Sequence, residues 1–287
     1  MEIGSDYHLD FCALEKTGND LNSYMSGFDM VYLDSGRSAI RLLLDTLPDG
    51  DVLLPEYICD SVVEASAVRK ISYYQIFEDF TINFDNLEEK ISASTRIILI
   101  MHYFGVLQPR DQLLALRQKT DCLIIEDTTH SLFTQRLTVG DYGVCSLRKW
   151  FPVPDGGLIY AKTSLQRQGE QIKERNHGTD KINAMVLKNL FLENRLGSKD
   201  LALEIFRKAE ETLWQDQTVR GISYLSEFLL AFTDINDLIE RRIENFKHLS
   251  QGLRSLSVQV LNTAAVCPFT CVIFCQERDQ LRRFLIE

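Results

Sequence analysis

Three side chains capable of chemistry lie where apolar runs of the sequence give way to polar residues. Lys149 follows the segment Cys-Ser-Leu-Arg and precedes a Pro-Asp-Gly-Gly turn at 154–157, while Asp127 and His130 follow the apolar run 122–125. A lysine amine becomes a nucleophile once it loses its proton, which desolvation or a nearby cation such as Arg148 promotes. A carboxylate at a strand end can pair with a cationic group. On spacing alone, a surface lysine and a helix-capping aspartate are the plain alternatives.

The elements that must position these side chains alternate between strand and helix. The strand segments are continuously apolar, which is typical of a parallel sheet covered by helices on both faces. Ligands bind such sheets at the carboxyl ends of the strands, where the polar tails of two segments and the turn after Lys149 would lie. The sequence predicts strands at 51–55, 71–77, 96–105, 121–131 and 157–160, and helices at 35–47, 59–70, 83–92 and 108–120.

The character of the chain changes after Lys162. Charged segments of helical period cover 164–178, 200–217 and 234–256, and strands are expected at 258–262 and 268–275. We therefore predict a large α/β domain at 1–175, followed at 176–287 by a helical connection and a small α+β domain. Three cysteines in the segment 266–276, at 267, 271 and 275, would share one face of an extended strand. They are interpreted as small buried apolar side chains, because no histidine or acidic ligand stands among them.

Composition excludes several classes of function. A net charge of -10 disfavours nucleic acids and anionic membrane surfaces, which both require a basic face. No apolar run approaches the roughly 20 residues of a membrane span, and the N-terminus does not resemble a signal peptide. Seven cysteines without a C-x-x-C pair favour reduced thiols. The expected location is the cytoplasm.

Five blocks occur in an order and spacing that resemble the DegT/DnrJ/EryC1/StrS family of sugar aminotransferases. They are SGRSAIRLLL, DVLLPEYICDSVVEA, RIILIMHYFG, CLIIEDTTHS and GDYGVCSLRKWFPVPDGGLIY. The resemblance is strong over residues 30–165 and weak over 220–287. It implies the type I fold of PLP-dependent transferases, with pyridoxal 5'-phosphate (PLP) as the cofactor. It also implies that the small C-terminal domain is incomplete, because family members usually continue further.

The resemblance assigns roles to the three reactive side chains. Lys149 would bind the cofactor covalently, and Asp127 would pair with its pyridine nitrogen, keeping the ring an electron sink. His130 would lie near the phenolic oxygen of the cofactor. Glu126 would point the opposite way from Asp127 and would not be the partner. Because related dehydratases carry histidine in place of the lysine, Lys149 favours transamination.

The phosphate and ring contacts follow the family pattern less closely. Gly36, Arg37 and Ser38 open a helix whose N–H groups would bind phosphate, although the family has threonine where Arg37 stands. Ser146 resembles the serine that contacts phosphate, but it precedes Lys149 by three residues where the family usually has five. The side chain that would pack against the ring of the cofactor is either Tyr57 or Cys59. Two weaker assignments concern substrate or the neighbouring subunit: Asn176 in a family-like RNHG tetrad, and Ser223, which replaces a family asparagine.

The function implied is transfer of an amino group, usually from glutamate, to a keto acceptor, usually a nucleotide-linked keto sugar. The resemblance also implies a homodimer with its active sites at the interface. Two alternatives remain open: a non-catalytic protein of this fold that serves as a binding partner or regulator, and a PLP enzyme with a non-sugar acceptor. For the RNHG tetrad at 175–178, the alternative to a functional role is a helix end capped by Gly178.

Overall fold

A seven-stranded sheet forms the centre of the protein. The computed structural model describes residues 7–9, 18–194, 197–261 and 267–286. The sheet has the order β1-β7-β6-β5-β4-β2-β3. Its strands are β1 (Asp29–Leu33), β2 (Asp51–Pro55), β3 (Ile71–Tyr74), β4 (Thr95–Met101), β5 (Leu123–Asp127), β6 (Tyr142–Ser146) and β7 (Gly157–Ala161).

The sheet is mostly parallel, as the continuously apolar strands predict. Strands β3, β2, β4, β5 and β6 pair in parallel, whereas β7 runs antiparallel to both β6 and β1. The reason for the reversal is the short connection from β6 to β7, residues 147–156, since a parallel crossover usually needs a dozen or more residues. Lys149 lies in this connection.

Helices cover both faces of the sheet, and alternate residues of each strand therefore face different cores. In β4, Ile97 and Leu99 pack against α2 and α3, whereas Ile98 and Ile100 pack against α4 and α5. These four helices are α2 (Gly36–Thr46), α3 (Asp60–Ser66), α4 (Phe84–Lys90) and α5 (Arg110–Lys119). Burial on both sides explains why the strands are continuously apolar.

The remaining elements include α1 and the helices of the second half of the chain. A small two-stranded sheet pairs β8 with β9. None of the helices within the described ranges is long and apolar enough to cross a bilayer. The elements are α1 (Leu21–Tyr24), α6 (Gln166–Gly169), α7 (Thr179–Asn194), α8 (Lys199–Gln215), α9 (Tyr224–Leu230), α10 (Ile235–Ser255), β8 (Gln259–Val260), β9 (Ile273–Phe274) and α11 (Arg278–Ile286).

Two predictions about the second half of the chain are wrong. The expected helix at 164–178 is confined to α6, because residues 174–176 are extended and bond with Gly221 instead. Gly178, with φ of 61°, therefore precedes α7 and does not end a helix. The predicted strand at 268–275 is reduced to β9, and the cysteines at 267, 271 and 275 do not form one buried face. Cys267 is buried, whereas Cys275 is exposed. The boundary between 175 and 176 stays a prediction.

Candidate functional site

The carboxyl ends of β4, β5 and β6 meet the start of α2 around a cavity of about 440 Å³. This is the edge of the sheet at which the sequence places the ligand. The cavity brings together most of the residues singled out in the sequence, namely Gly36, Arg37, Tyr57, Cys59, Asp127, His130, Ser146 and Lys149. Ser38, Asn176 and Ser223 do not line it.

Lys149 ends a single 3-10 turn, Leu147–Lys149, directly after β6. Its Nζ lies 3.4 Å from Nε2 of His130. Its carbonyl oxygen accepts hydrogen bonds from the hydroxyl of Tyr7 at 3.3 Å and from Nη2 of Arg242 at 3.1 Å. The short spacing after Ser146 thus still brings Lys149 into the cavity, because the turn begins immediately after the strand.

Arg148 is not a free cation beside Lys149. Its Nη1 lies 2.6 Å from Oε1 of Glu210, a residue of α8, and Lys181 contacts the same carboxylate. The positive charge expected next to Lys149 is therefore only partly offset, because Glu210 pairs with two cations. Glu210 and Leu213, both on α8, line the cavity close to the start of α2.

Asp127 is a buried carboxylate at the end of β5. Burial raises its pKa, and bonds from Thr129 and the charge of Lys149 act in the opposite direction. The Thr129 amide donates to Oδ1 at 2.9 Å. A cationic group in the cavity would offset the free-energy cost of burying this carboxylate in its charged form.

Glu126 points away from the cavity, as the alternation along the strand predicts. Its oxygens accept hydrogen bonds from the backbone N–H groups of Thr138, Val139 and Gly140 and from Nε2 of His102 at 3.0 Å. Nδ1 of His102 accepts from a backbone N–H, so the His102 proton resides on Nε2. Burial opposes ionisation of Glu126, yet these bonds lower its pKa.

His130 is held between two aromatic rings. Its ring centroid lies 5.5 Å from that of Phe104 and 4.2 Å from that of Phe269, with both pairs stacked. Burial, with a smaller contribution from Lys149, lowers the pKa of His130 to about 3. Nδ1 is buried without a hydrogen-bond partner among the described residues. At neutral pH, His130 therefore presents an uncharged imidazole to the amine of Lys149.

The start of α2 approaches β6 closely. A Cβ built on Gly36 would lie 3.2 Å from Cβ of Ser146. Ser35, and not a later residue, caps the helix, since its Oγ accepts from the Ser38 amide at 3.1 Å. The Ser38 amide is therefore used within the helix, and the assignment of Ser38 to the cofactor phosphate stays a prediction. The Arg37 guanidinium donates to the carbonyl of Leu213.

Asn176 and Ser223 meet at one buried carboxylate. Nδ2 of Asn176 donates to Asp155 at 3.0 Å, and the Ser223 hydroxyl and amide donate to it at 2.6 and 2.9 Å. Ser223 also caps α9. Within this chain, both residues hold the turn before β7 in place. The assignment to substrate or to a neighbouring subunit stays a prediction.

Tyr57 and Cys59, the two candidates for the ring wall, both reach the cavity. The side chain of Tyr57 is 53% exposed, and its ring packs against Tyr103 at 5.6 Å. Cys59 is exposed and accepts a bond from the Ser61 hydroxyl at 3.2 Å. Several residues that line the cavity had no role predicted from the sequence. The HYFG tail signals Tyr103 and Phe104, but nothing in the sequence signals Glu210 or Leu213.

The fold and site together define the class of protein. A lysine amine, a buried carboxylate and an uncharged imidazole converge at the carboxyl edge of a mostly parallel sheet. Residues 34–192, more than half of the chain, match the DegT/DnrJ/EryC1/StrS aminotransferase family. The chain belongs to this family.

Individual relatives support the same fold. A UDP-N-acetyl-3-dehydro-alpha-D-glucosamine 3-aminotransferase of Acidithiobacillus ferrooxidans is 26% identical over an alignment of 162 residues, and the match covers 50% of this chain and 43% of the relative. The chain thus matches less than half the length of that curated relative. DesV of S. venezuelae superposes with a TM-score of 0.62 at 19% identity, over 95% of this chain and 72% of DesV. NtdA of Bacillus subtilis, solved with bound cofactor PMP, superposes with 0.59 at 14% identity, over 91% and 58%.

Proposed function

We propose that this protein is a PLP-dependent aminotransferase that acts on a keto sugar. The observation that carries the proposal is the convergence of Lys149, Asp127 and His130 in one cavity, within a chain that belongs to an aminotransferase family. The cavity volume of about 440 Å³ is in the range of small-molecule sites.

The residues present fit PLP. Gly36 lines the cavity at the start of α2, where the absence of a side chain lets the helix approach Ser146 closely, and amides at a helix N-terminus bind phosphate. Ser146 and the backbone of Arg37 would complete the phosphate contacts. Asp127 would hold the ring nitrogen, and Tyr57 or Cys59 would face the ring.

When bound, PLP accepts an amino group from a donor and passes it to a carbonyl acceptor. Lys149 would attach the cofactor and, once released, move a proton between carbon atoms as an amine. Asp127 would keep a positive charge on the ring nitrogen by pairing with it. His130, uncharged and facing Nζ of Lys149, would orient the amine without competing for its proton.

The donor, the acceptor and the assembly belong to the same proposal. The acceptor is a nucleotide-linked keto sugar, as in the name of the Acidithiobacillus ferrooxidans relative. The donor is glutamate, the usual donor in the family. We further propose a homodimer in the cytoplasm. Analytical ultracentrifugation of the PLP-loaded protein tests the dimer, and a monomer would contradict it.

Absorption spectroscopy of the protein incubated with PLP tests the function. The wild type should develop a visible band that changes when glutamate is added, and Lys149→Ala should lack this band. Lys162→Ala is the matched control, because Lys162 is an exposed lysine at the end of β7. If the wild type takes up no PLP, the aminotransferase proposal is wrong and a non-catalytic binding role takes its place.

A further inference from the structure

Three charged side chains meet at the wall of the cavity and are here called the charged cluster: Arg148, Lys181 and Glu210. Oε1 of Glu210 lies 2.6 Å from Nη1 of Arg148 and also contacts Nζ of Lys181. Two cations and one carboxylate leave the cluster with one net positive charge. The side chain of Lys181 is only 11% exposed and that of Arg148 22%. Water and salt therefore screen this charge less than a charge on the open surface.

The charged cluster lies where three cavities meet. Arg148 and Glu210 line the cavity of about 440 Å³ and two smaller cavities of about 290 and 230 Å³. Ser146, Lys149 and Lys181 also line the cavity of about 230 Å³. The cluster is therefore next to the reactive lysine and to the serine that the proposed function assigns to the cofactor phosphate.

Three separate elements position the charged cluster. Arg148 lies in the 3-10 turn after β6, Lys181 in the first turn of α7, and Glu210 in the second half of α8. The helices α7 and α8 pack against each other, and Nζ of Lys181 lies 5.0 Å from the ring centroid of Phe206. These contacts arrange the cluster before any ligand binds.

The phosphate contacts proposed above carry no full positive charge. Backbone amides and the Ser146 hydroxyl donate hydrogen bonds, whereas a phosphate monoester carries a charge of about −1.5 to −2 at pH 7. Arg37, Arg148 and Lys149 supply the lysine and arginine side chains of the cavity of about 440 Å³ among the described residues. The Arg37 guanidinium donates to the carbonyl of Leu213, and Lys149 would attach the cofactor. Arg148 is therefore the cation that remains for the phosphate.

Arg148 still has donors for an oxyanion. Within the described part of the chain, its guanidinium has one hydrogen-bond partner, Glu210 at Nη1. Its Nε is buried and has no partner there. Nε and Nη2 form one edge of a guanidinium, and such an edge matches two oxygens of a phosphate group. A buried donor without an acceptor costs free energy, which a phosphate oxygen would recover.

We propose that Arg148 binds the phosphate group of the cofactor, and that Lys181 supports this binding by offsetting the charge of Glu210. This inference rests on the proposed function. Glu210 weakens phosphate binding by electrostatic repulsion, while the net positive charge of the cluster keeps binding favourable. In the protein without cofactor, the same cluster binds inorganic phosphate.

Substitutions with opposite expected effects separate this role from a structural one. Arg148→Met removes the proposed phosphate contact, and Lys181→Met leaves the charge of Glu210 less compensated. Glu210→Gln removes the negative charge and keeps an acceptor oxygen for Arg148. Arg207→Met and Glu211→Gln are the matched controls, because these residues form an exposed ion pair on α8 and do not line the three cavities.

Spectral titrations with PLP and with pyridoxal isolate the contribution of the phosphate group. Pyridoxal has the same ring and aldehyde and lacks the phosphate. We expect Kd for PLP to rise at least about tenfold in Arg148→Met and about threefold in Lys181→Met, with Kd for pyridoxal within about twofold of the wild type. Glu210→Gln should lower Kd for PLP about threefold, because a repulsive charge is removed. Both control variants should match the wild type.

A thermal-shift measurement on the cofactor-free protein provides a second readout. Inorganic phosphate should raise the thermal midpoint of the wild type and of Glu210→Gln, because a ligand that binds the folded state stabilises it. The midpoint of Arg148→Met should not respond to phosphate.

The outcomes are distinguishable from failure of the proposed function. A wild type that takes up no PLP, or whose visible band does not respond to glutamate, refutes the proposed function itself. If the wild type does both, an unchanged Kd for PLP in Arg148→Met, or equal increases for PLP and pyridoxal, overturns only the assignment of Arg148. An increase in Kd for PLP in Glu210→Gln as large as in Arg148→Met would overturn it as well, and so would equal effects of inorganic phosphate on the wild type and Arg148→Met.

Discussion

Asp34 offers a test of the electrostatics around the start of α2. This aspartate is 3% exposed and accepts a bond from the Ser35 hydroxyl at 3.0 Å. Burial, opposed by hydrogen bonds from Ser38 and Ser35, raises the pKa of its carboxyl to about 6. Between pH 3.8 and about 6, the folded protein therefore still holds the Asp34 proton, whereas the unfolded chain has released it.

The sign and size of the effect follow from these values. The stabilising contribution of the Asp34 proton is complete below pH 3.8 and is lost as the pH rises through about 6. A shift from 3.8 to about 6 corresponds to a loss of about 3 kcal/mol by pH 7.5. Asp34→Asn keeps the acceptor oxygen and cannot ionise. The variant should therefore be similar to the wild type at pH 4 and more stable by about 3 kcal/mol at pH 7.5.

Urea denaturation of both proteins between pH 4 and 7.5 measures this difference. Titrations of all other groups cancel when the two free energies of unfolding are subtracted. Asp45→Asn is the control, since Asp45 is an exposed carboxylate of α2 paired with Arg41, and its difference should stay within about 1 kcal/mol. A difference for Asp34→Asn that does not change with pH, or one that favours the wild type at pH 7.5, refutes the reasoning.

Three further substitutions test other parts of the site. Gly157→Ala should lower the free energy of unfolding by about 3 kcal/mol in urea denaturation, because the new Cβ would lie 2.0 Å from the carbonyl oxygen of Ser35; an unchanged midpoint would contradict this. Glu126→Gln should lower the free energy of unfolding by about 3 kcal/mol at pH 7 and by less near pH 4, because several N–H donors converge on the charged carboxylate. A loss of stability that does not depend on pH would contradict this explanation. Arg242→Met should slow the spectral change with glutamate about tenfold in stopped-flow measurements, because the carbonyl of Lys149 loses a donor. Arg241→Met, at the exposed neighbouring position, is the control. Equal rates for Arg242→Met and Arg241→Met would show that the bond from Arg242 does not position Lys149.

Much of the fold was predictable because its signals are local. The helix that starts beside Ser35 has a capping serine and a regular apolar face, and α10 has a 21-residue amphipathic pattern. Asp127 ends β5 and Lys149 lies just after β6, which pairs with β5 in parallel, so their convergence was implied by the order of the elements alone. The opposite directions of Asp127 and Glu126 likewise follow from strand alternation.

The sequence by itself therefore determined the covered parallel sheet, the family and the principal reactive side chains. Only the tertiary structure decided which distant groups complete the site: Glu210 pairs with Arg148, Arg242 donates to the carbonyl of Lys149, and Phe269 stacks on His130. The physical reason is that periodicity and capping act within a few residues. Ion pairs and stacked rings, in contrast, join segments whose separation along the chain leaves no local pattern.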